Sequence, residues 1–392
     1  MLNRLKAVLA DFFQQADLVL LGLCCASTVY GIALIFSATR YMDSNRRVLV
    51  QTAAMLLGIC VYIGISMVDF EALMKKWKWI LLFNIGFIGL LLTPYGVSDN
   101  TGNTAWLKFP YIPVSIGPAE VVKITFTLLL AWQLAWLREE KQDLRSFGSA
   151  IQAAGHTLCL MGYYFLISGD MGNALVFFFI FLAMSFTAGF AIRWFVLLLG
   201  GIGTAVAAVL ILDLVPRSMN YMLERFLVLF DHSYDPLGAG WQQTRSLLAI
   251  GSGGVLGQGF MNGTQTQSAY STSLPARHTD LIFSVCGEEL GLVGCFVIMA
   301  LLAAIIIRVL LVARTAQTFF QSLVCVGVAA MLIFQTVVNI GMCLFVMPVI
   351  GITLPFFSYG GSSVVTLFAA MGVVSSIKRY ATVMKRYGRI LR

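Results

Sequence analysis

Apolar runs of about 18 residues or more recur along the whole of this 392-residue sequence, each long enough for a helix to cross the hydrocarbon core of a bilayer. Ten spans are predicted, at 18–38, 48–67, 79–93, 118–136, 150–168, 172–190, 194–214, 281–307, 319–347 and 358–377. The third is short, and the ninth is long enough to tilt or to break near Pro348. Only 11% of the residues are charged, against about a quarter in ordinary soluble domains. The expected fold class is therefore all-α: a single polytopic membrane domain over 1–392. The first span follows a charged amphipathic start (Arg4, Lys6, Asp11, Asp17) with no convincing cleavage site, so it reads as a retained helix. All eight cysteines lie in apolar runs without metal-ligand spacing, which argues against a disulfide framework or a zinc site.

An even number of spans puts both termini on one side. With that side cytoplasmic, the inside segments and a tail at 378–392 carry 17 Lys and Arg, and the outside segments carry 8. The long outer loop is discounted by the positive-inside rule, leaving 17 against 4, so both termini are expected in the cytoplasm. The net charge of +8 suits anionic lipid; no basic groove interleaved with aromatics is present, and no nucleic-acid partner is expected.

Two large loops then lie outside. Residues 94–117 are rich in Gly, Pro, Asn and Thr around Trp106. Residues 215–280 form the longest polar interruption, between spans seven and eight. In it, Met219, Met222, Leu223, Phe226, Leu227 and Phe230 recur at helical spacing and predict an amphipathic helix. Eight glycines between Gly238 and Gly263 argue for close backbone turns; the embedded Trp241, Arg245 and Leu247–Ile250 fit a flexible linker poorly.

Charges at the membrane edge mark the candidate site. Leu274-Pro275-Ala276-Arg277-His278-Thr279-Asp280 runs straight into the eighth span. A carboxylate at mid-membrane costs about 2.5–3.5 kcal/mol, so Asp280 is either a helix cap in the headgroup region or a reactive or binding group. Glu120 and Lys123 are three apart and share a helix face, as a packing ion pair or a functional one. Asp170, in Ser168-Gly169-Asp170-Met171-Gly172-Asn173, is a turn residue or a site residue. Glu288 and Glu289 lie two turns into the eighth span, with Glu288 roughly on the face of Asp280. Glu120, Lys123, Asp170 and Asp280 all fall toward the outer leaflet. A transporter more often carries its charges at the midplane between inverted repeats, and no such repeat is found.

Leu274–Phe283, followed by Gly287-Glu288-Glu289-Leu290-Gly291, resembles the SEDS family of RodA, FtsW and the sporulation member. So do Gly351-Ile352-Thr353-Leu354-Pro355-Phe356-Phe357-Ser358-Tyr359-Gly360-Gly361-Ser362-Ser363, Asn339-Ile340-Gly341-Met342 and Ala249–Gly254. The resemblance covers essentially the whole chain. The first half departs from the family pattern: Ala105 stands before Trp106 where Arg is usual, Gly117-Pro118-Ala119-Glu120 replaces Gln-Pro-Ser-Glu, and Ser168-Gly169-Asp170 replaces Gln-Pro-Asp. Each departure in the last two motifs keeps the acid.

The resemblance implies a peptidoglycan glycosyltransferase in a bacterial cytoplasmic membrane. It would join lipid II units into glycan strands outside, beside a class B penicillin-binding protein and other members of a cell-wall synthesis complex. Asp280 would be the general base for the acceptor hydroxyl. Trp106, Glu120, Lys123, Asp170, Arg245, Arg277, His278, Ser358, Gly360 and Gly361 would bind substrate. The pyrophosphate leaving group needs positive charge, which Lys123, Arg225, Arg245, Arg277 or a divalent cation (Mg or Mn) could supply. Arg245 or Lys123 with a metal fits better than Arg277, whose closeness would lower the basicity of Asp280. Two readings from other classes stay open: a lipid II flippase, and a non-catalytic scaffold for cell-wall enzymes.

Overall fold

The computed structural model describes residues 15–41, 45–98, 103–110, 115–140, 144–212, 220–231, 235, 238, 240–270 and 272–390. In chain order the helices are α1 (Leu18–Ala38), α2 (Arg46–Ile65), a short α3 (Phe70–Met74), α4 (Trp77–Gly89), α5 (Pro118–Glu140), α6 (Phe147–Ser168), α7 (Met171–Ala188), α8 (Ile192–Ile211), α9 (Asn220–Phe230), α10 (Trp241–Gly253), α11 (Ile282–Thr315), α12 (Phe319–Cys343) and α13 (Gly361–Ile390). Among the described residues, nine helices are long and apolar enough to cross a membrane. The predicted third span is the shorter apolar stretch Trp77–Leu92, where α4 runs on into a 3-10 turn. The chain is an all-α, multi-pass membrane protein.

Three details depart from expectation. The loop around Trp106 is partly ordered as a small antiparallel hairpin, β1 (Gly96–Val97) against β2 (Trp106–Leu107). The predicted ninth span stops at Cys343, because Phe345 takes a positive φ of 61° and the amides of Val346 and Met347 turn back onto the carbonyl of Gly341. Helix α13 continues past the predicted span end at 377 to Ile390. The amphipathic helix predicted in the long outer loop is α9; Met219 lies outside the described residues.

Close helix contacts are made where glycine removes the side chain. A Cβ on Gly31 of α1 would stand 2.7 Å from Phe357 Cα, and one on Gly253 of α10 would stand 1.9 Å from the carbonyl oxygen of Gly287. Helix α11 is interrupted at Gly291 (φ 65°, ψ −160°). Its freed backbone groups pair with the segment after α10: Gln258 and Gly259 donate to the carbonyls of Glu288 and Glu289, and Leu292 and Val293 donate to those of Gly254 and Val255. That exchange satisfies groups that would otherwise be orphaned in an apolar interior. It also explains the two Gly-rich motifs, which meet each other here.

At the far end of the bundle Asp17 is fully buried, caps α1, and pairs with Arg308 of α11 at 2.9 Å and Lys378 of α13 at 3.1 Å. Tyr62 of α2 donates to the Asp17 carbonyl at 2.8 Å, so one acid ties four helices together.

Candidate active site

At the opposite end, a cavity of about 280 Å³ opens where α5, α7 and α13 begin and α12 ends. Its lining includes Trp106, Glu120, Asp170, Arg225, Asp280 and Gly360. Thus the structure gathers the predicted acids from three separate stretches of sequence into one cavity.

Asp280 is presented by a backbone that is gripped at three consecutive carbonyls. The amide of Tyr359 donates to His278 O at 2.8 Å, Ser358 Oγ donates to Thr279 O at 2.6 Å, and Asn339 Nδ2 donates to Asp280 O at 2.8 Å. Asn339 Nδ2 also donates to Ile352 O at 2.8 Å, so one amide holds the loops on both sides of the cavity. Helix α11 starts only at Ile282, with Leu281 at its cap position and no side-chain cap bond there. Asp280 is half-buried and lines the cavity with its neighbour Thr279.

A chain of polar side chains forms the opposite wall. Asp170 caps α7 by accepting from the amide of Asn173 at 3.1 Å, and also accepts from Asn173 Nδ2 at 2.8 Å and Tyr164 Oη at 3.0 Å. Asn173 Oδ1 in turn accepts from Lys123 Nζ at 3.1 Å, and Lys123 pairs with Glu120 at 2.8 Å. Ser363 reaches the other Glu120 oxygen at 3.4 Å. Lys123 is wholly buried behind Glu120 and Asn173, so its charge is offset by Glu120. Asp170 is both the turn residue and a cavity residue. Gly172 lets this wall approach the far loop: a Cβ there would lie 2.3 Å from Ile350 O.

Other predicted residues take supporting positions. Arg277 is buried, and its guanidinium donates to the carbonyls of Thr266 and, at 3.1 Å, Ser268, which makes it a strut for the loop. Arg245 lies 4.2 Å from the ring of Trp241, outside the cavity lining. The cavity cation is Arg225 of α9, whose Nη1 also donates to Val349 O. His278 sits beside Tyr359, with ring centroids 5.7 Å apart; burial, with Arg47 and Arg277 nearby, pushes its pKa down to about 4. Ser358 holds backbone on both sides, accepting from Leu354 N at 2.8 Å, and Gly361 opens α13 just behind the lining residue Gly360. Glu288 and Glu289 do not share the face of Asp280. Glu288 accepts from the amides of Gln265 and Thr266 at 2.7 and 2.8 Å, and Glu289 accepts from Ser37 and Gln267. Both acids fasten the long loop between α8 and α11 to the bundle.

Several cavity residues escaped the sequence reading: Asn173, Gln242, Gln335, Tyr359 and Ser363. Asn173, Tyr359 and Ser363 carried a signal, lying inside the motifs Ser168–Asn173 and Gly351–Ser363, and Gln335 is a polar residue one turn before Asn339.

The family model FTSW_RODA_SPOVE, described as "Cell cycle protein", matches residues 11–383. The chain belongs to this family. Relatives of this FtsW/RodA/SpoVE member include a protein of Trichlorobacter lovleyi named "Probable peptidoglycan glycosyltransferase FtsW", 32% identical over 93% of each chain. The "Peptidoglycan glycosyltransferase MrdB" of Escherichia coli is 41% identical over 49% of this chain and 53% of its own. Among solved structures, a chain from the work described as "Structural coordination of polymerization and crosslinking by a peptidoglycan synthase complex" matches with a TM-score of 0.76 at 29% identity, covering 93% of this chain and 98% of that one. The rod shape determining protein RodA of Thermus thermophilus matches at 0.66 and 26%, over 93% and 97%.

Proposed function

We propose that this family member is a peptidoglycan glycosyltransferase that polymerises lipid II at the outer face of a bacterial cytoplasmic membrane, in elongation, division or sporulation. The observation that carries the reading is Asp280: a half-buried carboxylate on a gripped backbone, lining a cavity with Glu120, Asp170 and Arg225. The 4-hydroxyl of an acceptor sugar attacks the anomeric carbon of the donor. Asp280 takes the hydroxyl proton as the new C–O bond forms, and the C–O bond to the lipid pyrophosphate breaks, its electron pair leaving on the anion. That leaving group needs no proton, so one carboxylate suffices where ordinary glycosidases use two. Arg225 is the guanidinium placed to balance the developing charge.

Among the described residues, no group of three or more His, Cys, Asp or Glu is placed to hold a metal ion. A divalent cation, where one binds, would share the substrate's phosphates with one or two of the cavity carboxylates Glu120, Asp170 and Asp280.

The partner is a class B penicillin-binding protein, a reading supported by the match to a synthase-complex chain. The orientation, with both termini cytoplasmic, rests on the 17 against 4 asymmetry of basic residues. A cysteine at the exposed Tyr270 should label from outside intact cells and one at Lys76 only after permeabilisation; the reverse would overturn the orientation.

The direct test is Asp280→Asn, assayed by gel analysis of labelled lipid II products. Loss of general-base help is worth about 10²–10⁴ in rate. The variant should insert and melt as wild type while making no detectable polymer. Polymerisation within a few-fold of wild type would remove Asp280 from the chemistry.

A further inference from the structure

A second hollow lies at the other end of the bundle, between α6, α7 and α8. It is a trough of about 240 Å³, lined by Ala150, Ala154, Phe181, Ser185, Trp194 and Leu198 among other apolar side chains. Helix α8 has no buried residue along its whole length, so it leans on the bundle only near its start and leaves the trough open beside it. The trough is smaller than the roughly 300–1,000 Å³ of small-molecule sites, which suits a slice of hydrocarbon chain.

Three features at its mouth call for something other than plain hydrocarbon. Arg193 Nη2 and Trp194 Nε1 both donate to the carbonyl of Arg145, at 3.2 and 2.8 Å, which places two exposed arginines beside the ring that lines the trough. Helices α6 and α8 both start there, and α8 has no side-chain cap on its first amides. Both helix dipoles therefore add positive potential at this point. Below them, Ser185 is 1% exposed, lines the trough, and its Oγ has no hydrogen-bond partner. A buried hydroxyl without a partner costs about 1–3 kcal/mol, so an acceptor from outside the chain would relieve it.

We infer that this trough seats one anionic phospholipid. The phosphate lies between Arg145 and Arg193, an ester carbonyl accepts from Ser185 about one helical turn deeper, and an acyl chain runs along Phe195 and Leu198. Depth supports the order: Ser185 lies one turn inside the end of α7 at Ala188, while the arginines flank the first residues of α6 and α8. The seat is separate from the cavity around Asp280 and its test needs no activity.

The test uses native mass spectrometry of the purified full chain. It is incubated with equal amounts of dioleoyl phosphatidylglycerol and dioleoyl phosphatidylcholine. Two basic side chains against one anionic headgroup correspond to about a thirtyfold preference for the anionic lipid. Wild type should retain a single phosphatidylglycerol with that preference. The double variant Arg145→Gln with Arg193→Gln keeps the backbone carbonyl that anchors α8 and should bring the two lipids near parity. Ser185→Ala should weaken retention of both lipids several-fold. Equal retention by wild type, a preference that survives the double variant, or a dimer peak in place of the lipid adduct would each overturn the proposal.

Discussion

Asn339→Leu tests whether the grip on Asp280 matters to catalysis or only to folding. Asn339 Nδ2 is the donor for two carbonyls, Asp280 O and Ile352 O, each at 2.8 Å, and the side chain is fully buried. Leucine keeps much of the volume and removes both bonds. Each stranded buried carbonyl costs about 1–3 kcal/mol. Leucine also removes Asn339 Oδ1, which is buried without a partner, so one such cost is recovered. The net loss is then one stranded group's worth, about 1–3 kcal/mol. A loss of that size lowers the melting temperature by only a few degrees in a chain this long, leaving a folded protein to assay. Activity should fall much further, because a displacement of about 1 Å at a reacting group costs on the order of 10²-fold. The measurement is polymer formed per folded molecule, with the folded fraction taken from a thermal melt in the same detergent. Should activity fall only in proportion to the folded fraction, the carbonyl grip does not aim Asp280, and the positioning argument fails.

The buried pair gives a second prediction: Lys123→Met strands Glu120 in a buried site and should cost about 3–5 kcal/mol. The exchange Glu120→Lys with Lys123→Glu should restore folded yield but not polymerisation, because an ammonium would then line the cavity in place of the Glu120 carboxylate; recovery of both would make the pair purely structural. His278 gives a pH prediction, since its pKa is pushed down to about 4 in the folded chain against about 6.5 unfolded. The unfolded chain then binds more protons as pH falls, so stability is full above pH 6.5 and declines toward pH 4, by about 3 kcal/mol at most. His278→Gln should flatten that part of the melting-temperature curve, and an unchanged slope would show that His278 is not its source.

Much of the architecture was legible because a bilayer allows few solutions. Long apolar runs must be helices, and their number follows from where those runs fall in the sequence. The boundaries that failed are those set by tertiary contacts. Nothing local says that Phe345 turns the chain back onto Gly341. The acids of the site were legible for a related reason, since a carboxylate at a membrane edge is too costly to be idle. Their roles were less so. Glu288 is one residue type and two turns away from Asp280, yet its oxygens are used up by Gln265 and Thr266. Whether a buried acid holds the fold or does chemistry depends on which amides face it, and those amides lie more than twenty residues away.

The distribution of these fixed charges also separates a polymerase from a flippase. A transporter must change which side of the bundle is open, so the contacts at its two ends must be able to break in turn. Here Asp17 locks α1, α2, α11 and α13 at the end remote from the cavity, with both of its cations held at about 3 Å. At the cavity end, Glu288 and Glu289 clamp the long loop between α8 and α11 onto α11 and α1, and α10 meets α11 through glycines that leave no room for sliding. Separating buried Asp17 from its cations costs several kcal/mol, and the hydrogen bonds that hold Glu288 and Glu289 would have to open in the same cycle. A glycosyltransferase asks for the opposite property, a base and a cation held still while two substrates arrive from the membrane. Rigid ends with reactive groups on one side only are what polymerisation requires, and they are a poor basis for alternating access.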